Sequence, residues 1–197
     1  MQHGGEVILT GASLAPEDLL RLSRGGVRLS LSQEAWERVS AGRKVVDNIL
    51  KEGKVAYGIN TGFGLFSEVV IDPSQLRELQ ENLIRSHAAG VGASLTRGRT
   101  RMLLALRANV LAKGHSGIRA VNLRKLLDAF NKDCLSVVPA KGSVGASGDL
   151  APLSHLALGM MGEGMMWDPR LNDDGSKVRG REGEGGGGGG GGKERER

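Results

Sequence analysis

A mainly helical chain with short strands and glycine-rich loops is expected from three features of the amino-acid sequence. Apolar residues recur at helical spacing in six separate segments. Most of those segments open on a helix-start signal, such as a proline in the first turn or a hydroxyl or carboxylate residue just before the apolar stripe. Between them lie clusters of glycine that no helix interior tolerates well.

Taken in order, Val7 to Thr10 reads as a short strand closed by Gly11. Pro16-Glu17-Asp18 opens a short helix carrying Leu19, Leu20 and Leu22, stopped by Gly25-Gly26. Ser30-Leu31-Ser32-Gln33 reads as a capping box, and Ala35, Val39, Val46 and Ile49/Leu50 form one stripe that ends at Gly53. Asp72-Pro73-Ser74-Gln75 starts a helix that turns Leu76, Leu79 and Leu83 inward. Two further helices follow at about Thr100–Lys113 and Val121–Asp133, and a last one runs from about Leu150 to Met161 with Pro152 in its first turn.

With 197 residues the chain suits one domain plus a tail. Residues 171–197 differ in kind from the rest: they hold 11 of the 32 glycines and six basic against six acidic side chains. So little apolar area cannot offset the entropy of ordering, and the expected division is a folded domain over 1–170 and a disordered tail over 171–197. The net charge of +5 therefore sits in the first 170 residues, interspersed with few aromatics to stack on bases, which argues against nucleic acid. The longest apolar stretch, Met102 to Ala112, is broken by Arg107 and Asn109, which argues against a membrane span. The first residues show no signal-peptide pattern and Cys134 is alone, so a cytoplasmic setting is expected, with Cys134 a small buried hydrophobe. The four histidines have no metal-ligand spacing, so no metal is expected.

Three segments resist a helical reading: Tyr57-Gly58-Ile59-Asn60-Thr61-Gly62-Phe63-Gly64, Ser86-His87-Ala88-Ala89-Gly90-Val91-Gly92, and Lys141-Gly142-Ser143-Val144-Gly145-Ala146-Ser147-Gly148-Asp149-Leu150. A phosphate loop is one reading of the third, but it lacks the Gly-Lys-Ser/Thr ending. A serine nucleophile elbow is another, but Asp149 stands where that motif needs glycine. The third segment, continued through Ala151-Pro152-Leu153, resembles the signature of the aromatic amino acid ammonia-lyases. The first resembles the catalytic loop of that family, and Gly114-His115-Ser116-Gly117-Ile118-Arg119 a further family segment. The resemblance covers roughly Glu6 to Arg170.

The resemblance implies the N-terminal helical domain of that family's fold, ending before its long central helix bundle. It implies a 4-methylidene-imidazol-5-one group formed autocatalytically from Ala146-Ser147-Gly148, with no dissociable cofactor. The Gly148 amide nitrogen attacks the Ala146 carbonyl carbon, one water leaves as the ring closes, and the Ser147 hydroxyl leaves as a second. Ser147 is then a precursor and not a nucleophile, and glycine at 148 permits the compressed backbone. Tyr57 is implied as the base that takes the substrate β-proton. A free phenol ionises at about pH 10, so the site has to favour the phenolate.

The pair Ser86-His87 resembles that of the family members acting on histidine, and a polar His87 suits an imidazole, whose ring nitrogens an apolar pocket would leave unpaired. Leu150 matches a position that touches the substrate side chain. The implied reaction is L-histidine to trans-urocanate and ammonia, in a homotetramer whose neighbouring subunits complete each site. Relatives continue for several hundred residues past the equivalent of Arg170, so the chain by itself is expected to be inactive and prone to aggregate. The alternatives are a phenylalanine or tyrosine ammonia-lyase, an aminomutase of the same family, or a non-catalytic fragment that associates with a full-length lyase.

Overall fold

The computed structural model describes residues 5–143, 145, 148–168 and 177–179. Helices dominate, as expected, and they are joined by three separate two-stranded sheets. Strand β1 (Glu6–Leu9) pairs in parallel with β2 (Arg28–Leu31), Val7 opposite Leu29 and Leu9 opposite Leu31. Those four side chains alternate inward, and the crossover between the strands is helix α1 (Pro16–Ser23). Pro16 opens α1, and Asp18 reaches back to accept a hydrogen bond from the Ala15 amide at 3.4 Å.

Helix α2 (Gln33–Lys51) starts two residues later than the capping-box reading placed it. Ser30 belongs to β2, opposite Ile8, and the cap is Ser32, whose hydroxyl accepts from the Ala35 amide at 3.2 Å. The parallel partner strand claims Ser30 for the ladder, so only the next hydroxyl is free to cap. Ala35 and Val39 are buried, whereas Val46, Ile49 and Leu50 on the same stripe are only partly covered, so α2 runs out past the core.

Helix α3 (Leu76–His87) follows an Asp72 turn, in which the carboxylate accepts from the Ser74 amide at 2.8 Å. Leu76, Leu79 and Leu83 are half-buried and not inward, because among the described elements α3 packs extensively against α6 alone. Strand β3 (Val91–Ser94) pairs antiparallel with β4 (Pro139–Lys141).

Helix α4 (Arg97–Ala112) is the centre of the core and packs against α1, α2 and α5 (Ala120–Asn131). Leu104, Ala105, Ala108, Leu111 and Ala112 are buried there beside Leu22, Leu123, Leu127 and Phe130. It begins three residues before the expected Thr100, at an N-cap Thr96 whose hydroxyl accepts from the Arg99 amide. The turn it adds carries Arg97, Gly98 and Arg99, which show no apolar periodicity and so gave no helix signal.

Arg101, on that helix, is buried. Its guanidinium donates to the Leu22 carbonyl at 2.7 Å and to the Asp133 carboxylate at 2.8 Å, and lies 4.2 Å from the centre of the Phe130 ring. Arg97 also pairs with Asp133. Burial draws the Arg101 pKa down, and Arg97 adds to the effect. The carbonyl and carboxylate oxygens around Arg101 are what keep so costly a charge inside. Asp133 adopts a left-handed backbone (φ 56°), and the chain leaves this turn with Cys134 exposed, which corrects the expectation of a buried thiol.

Helix α6 (Leu150–Met161) ends on Gly162 in the left-handed conformation and packs against α3. Strand β5 (Met165–Trp167) then pairs with β6 (Lys177–Arg179). The expected disorder over 171–197 falls outside the described residues except at β6.

The Gly114–Arg119 segment crosses the side of α2. Gly114 has φ 82°, and a Cβ there would stand 2.6 Å from the Arg38 carbonyl oxygen, while Arg43 donates to the Gly117 carbonyl at 3.3 Å. Gly114→Ala combines a left-handed alanine with a backbone clash and is expected to cost on the order of 3 kcal/mol, read as a fall in Tm with the helical circular dichroism retained at low temperature.

Candidate active site

Three backbone segments meet at the start of α6. The amide of Gly90, three residues past the end of α3, donates to His155 Nε2 at 3.1 Å. A Cβ on Gly90 would sit 3.0 Å from that nitrogen and from Pro139 Cβ, and one on Gly142 would sit 2.9 Å from Gly90 Cα and 3.1 Å from Ala151 Cβ. The glycines at 90 and 142 are therefore required by close approach: the Ser86–Gly90 segment, the strand leading into the Gly142–Asp149 loop, and α6 share one contact.

Within that loop, Ala146 and Ser147 lie outside the described residues. Their neighbour Gly148 has φ 112°, a conformation L side chains rarely adopt, with open space where a Cβ would be. That backbone suits the implied internal ring, which needs glycine at its third position and room beside it. Asp149 is the N-cap residue of α6 but makes no side-chain cap; it accepts instead from the Ser143 hydroxyl at 2.7 Å. Among the described residues no side chain caps the first amides of α6, which lie at the positive end of the helix dipole next to Gly148. Leu150 is exposed at the same end.

Ser86 and His87 form the last turn of α3. The Ser86 hydroxyl donates to the Leu83 carbonyl at 2.9 Å, and His87 Nδ1 lies 2.8 Å from the same oxygen. A carbonyl only accepts, so the proton of a neutral His87 is assigned to Nδ1. Its Nε2 then presents a lone pair. No sequence pattern distinguishes the two ring nitrogens; the helix turn that puts Leu83 one turn below His87 decides between them.

Tyr57 stands 65% exposed on the loop between α2 and α3, and its ring meets Phe63 edge-on at 5.9 Å. The loop is held from inside by Asn60 and Thr61. Asn60 Oδ1 accepts from the Ala56 amide and its Nδ2 donates to the Lys54 carbonyl, both at 2.9 Å. The Thr61 hydroxyl accepts from the Gly58 amide at 3.3 Å and donates to the Gly62 carbonyl at 2.9 Å. The structure thus ties the segment that follows Ser86 and His87 to α6 through the Gly90–His155 and Gly90–Gly142 contacts, and packs Tyr57 on its own loop. Sequence reading missed Asn60, Thr61 and His155; two buried polar residues inside a glycine-rich loop were the available signal for the first two. Among the described residues, no three His, Cys, Asp or Glu side chains gather as a metal site would require.

The sequence profile of the aromatic amino acid lyases matches residues 14–183, and the chain belongs to that family. Over 164 residues, 83% of its length, it is 56% identical to histidine ammonia-lyase of Mus musculus, and over 158 residues 52% identical to that of Myxococcus xanthus. It covers 25% and 31% of those proteins, so it spans about a quarter to a third of the length of the curated relatives it matches. Among solved structures, histidine ammonia-lyase from Trypanosoma cruzi superposes with a TM-score of 0.79 at 50% identity, over 86% of this chain and 32% of that one. Tyrosine aminomutase from Streptomyces globisporus superposes with a TM-score of 0.80 at 34% identity, over 88% and 32%.

Asn60→Ala removes the two bonds that Asn60 makes inside the Tyr57 loop, to the Ala56 amide and the Lys54 carbonyl. Peptides covering residues 56–71 are expected to exchange amide hydrogens about tenfold faster, with exchange in α4 unchanged.

Proposed function

We propose that this chain supplies the ring precursor, the base and the substrate-selecting pair of a histidine ammonia-lyase, which converts L-histidine to trans-urocanate and ammonia. The observation that carries the reading is Ser86-His87 with its assigned tautomer. With Nδ1 committed to the Leu83 carbonyl, His87 Nε2 is an acceptor for the N–H of a substrate imidazole. A phenylalanine side chain offers no such proton and would leave Nε2 desolvated and unpaired. The curated relatives quoted above, all named for histidine, support the same choice.

Ala146, Ser147 and Gly148 would form the methylidene-imidazolone, and its electron-poor alkene supplies the electrophile that makes the amine a better leaving group. The chain's own residues do the rest. Tyr57, as phenolate, takes the β-proton; the C–H electron pair becomes the new double bond as the C–N pair departs with ammonia. Exposed on a loop, Tyr57 has to be brought to the substrate by closure of that loop, which also removes water. The open N-terminus of α6 stabilises negative charge that develops beside Gly148. Leu150, exposed at that end, offers apolar contact to the substrate side chain. Substrate binding by a homotetramer, with further groups from neighbouring subunits, is part of this proposal.

Tested in the assembled enzyme, wild-type protein is expected to lose the mass of two waters from the peptide spanning Ala146 to Gly148, and Ser147→Ala to lose none and release no urocanate. Tyr57→Phe is expected to lower kcat about 10²- to 10⁴-fold with the ring still formed. His87→Leu is expected to raise KM for L-histidine about tenfold or more, because the imidazole N–H then has no acceptor. Urocanate formation at the wild-type rate by Ser147→Ala would overturn the assignment.

A further inference from the structure

Helices α3 and α6 are pinned together at two places. Beyond the end of α6, Glu163 takes a two-pronged bond from Arg85, at 2.7 and 3.0 Å. In the middle of α6, His155 Nε2 accepts the Gly90 amide proton. The first pin already docks the helices, and the second acts only on the segment that follows His87. We propose that His155 is a positioning residue of the lyase site: its imidazole holds the Gly90 amide and thereby fixes the segment that follows Ser86 and His87 against α6. The inference rests on the functional reading above.

The arrangement specifies a chemical state. Gly90 N–H is a donor, so Nε2 must carry a lone pair and Nδ1 the proton. An imidazolium has donors at both nitrogens and would have to release Gly90. The contact leaves the glycine little slack, because Pro139 Cβ and His155 Nε2 each stand 3.0 Å from where a Cβ would be and Gly142 backs it from behind. Displacement of Gly90 is therefore passed along three residues of backbone to His87. Burial lowers the His155 pKa from the ordinary 6.5. The charged or titratable groups on the elements around it are Arg77, Glu78, Glu81, Arg85 and His87 of α3, Arg124, Lys125 and Asp128 of α5, and Lys141 of β4, with Glu163 just beyond α6. Arg85 and Glu163 are engaged with each other, and burial is the cause of the shift. A lowered histidine pKa means that the neutral, bonded form persists at and above pH 6.5. The bond is lost as pH falls through the folded-state value, which lies below 6.5.

The test compares His155→Leu and His155→Gln in the assembled lyase containing this chain. Gln places an amide oxygen where Nε2 stood and does not titrate. His155→Leu is expected to raise KM for L-histidine about tenfold with little change in kcat, and His155→Gln to return it to near the wild-type value. Below pH 6.5 the wild-type KM is expected to climb more steeply than that of the Gln variant. His87 and the substrate imidazole are common to both proteins, so the difference isolates His155. A Leu variant with wild-type KM, a Gln variant no better than Leu, or parallel pH profiles would each overturn the proposal. Hydrogen exchange at the Gly90 amide reads the bond without turnover: it is expected to quicken about tenfold in the Leu variant and in wild type at acid pH, relative to neighbouring amides, and not in the Gln variant. Wild-type enzyme that eliminates no ammonia would sink the functional reading while leaving the exchange result to decide on His155. Should the Leu variant fail to fold, the wild-type and Gln pH profiles still decide.

Discussion

The site depends on a place where the backbone has no room for side chains. Gly90 and Gly142 lie back to back, with Pro139, Ala151 and His155 closing around them. That approach joins three stretches far apart in sequence: the turn after α3, the strand entering the Gly142–Asp149 loop, and the first turns of α6. A methyl group at either glycine would push the turn after α3 away from α6 by a good fraction of an ångström. Catalytic geometry does not survive errors of that size.

Around this junction the supports differ in kind. The core beneath it is apolar, built on α4 and its neighbours, with one buried guanidinium whose oxygen partners come from α1, the end of α5 and the turn after it. Such a network fixes where α5 ends, and with it the strand running from Leu135 towards β4. The Tyr57 loop is the opposite case. Its buried residues are Asn60, Thr61 and Gly62, and its apolar residues Leu65, Phe66, Val69 and Val70 are exposed. A loop closed by a few polar bonds can move; a loop seated on α4 could not. Exposed apolar side chains on such a loop are suited to being covered when substrate and neighbouring surfaces arrive.

Helix starts and apolar stripes were readable where the signal is local. Pro16 at the head of α1 and Leu150–Met161 came out as expected, because a first-turn proline and a closing glycine act within one turn of chain. The misplaced capping box shows the limit: Ser30 and Ser32 are equivalent as hydroxyls, and the parallel ladder with Ile8 decides between them. Leu76, Leu79 and Leu83 carry a proper stripe, yet with α6 as the main described partner of α3 they are half-buried.

For the site, the amino-acid order by itself determined the family resemblance and the glycine-rich segments, and through that resemblance it put forward Tyr57, Ser86, His87, Ala146, Ser147, Gly148 and Leu150. These are matters of residue type at short spacing. Tertiary structure alone decided which histidine nitrogen is free, that His155 is a neutral acceptor, and that Gly90 must meet Gly142. Each of those is a contact between a side chain or glycine and a backbone group set by folding, Leu83 to His87 through a helix turn and Gly90 to His155 across 65 positions. Hydrogen-bond direction and close approach depend on ångström distances, which a linear order of residues does not contain.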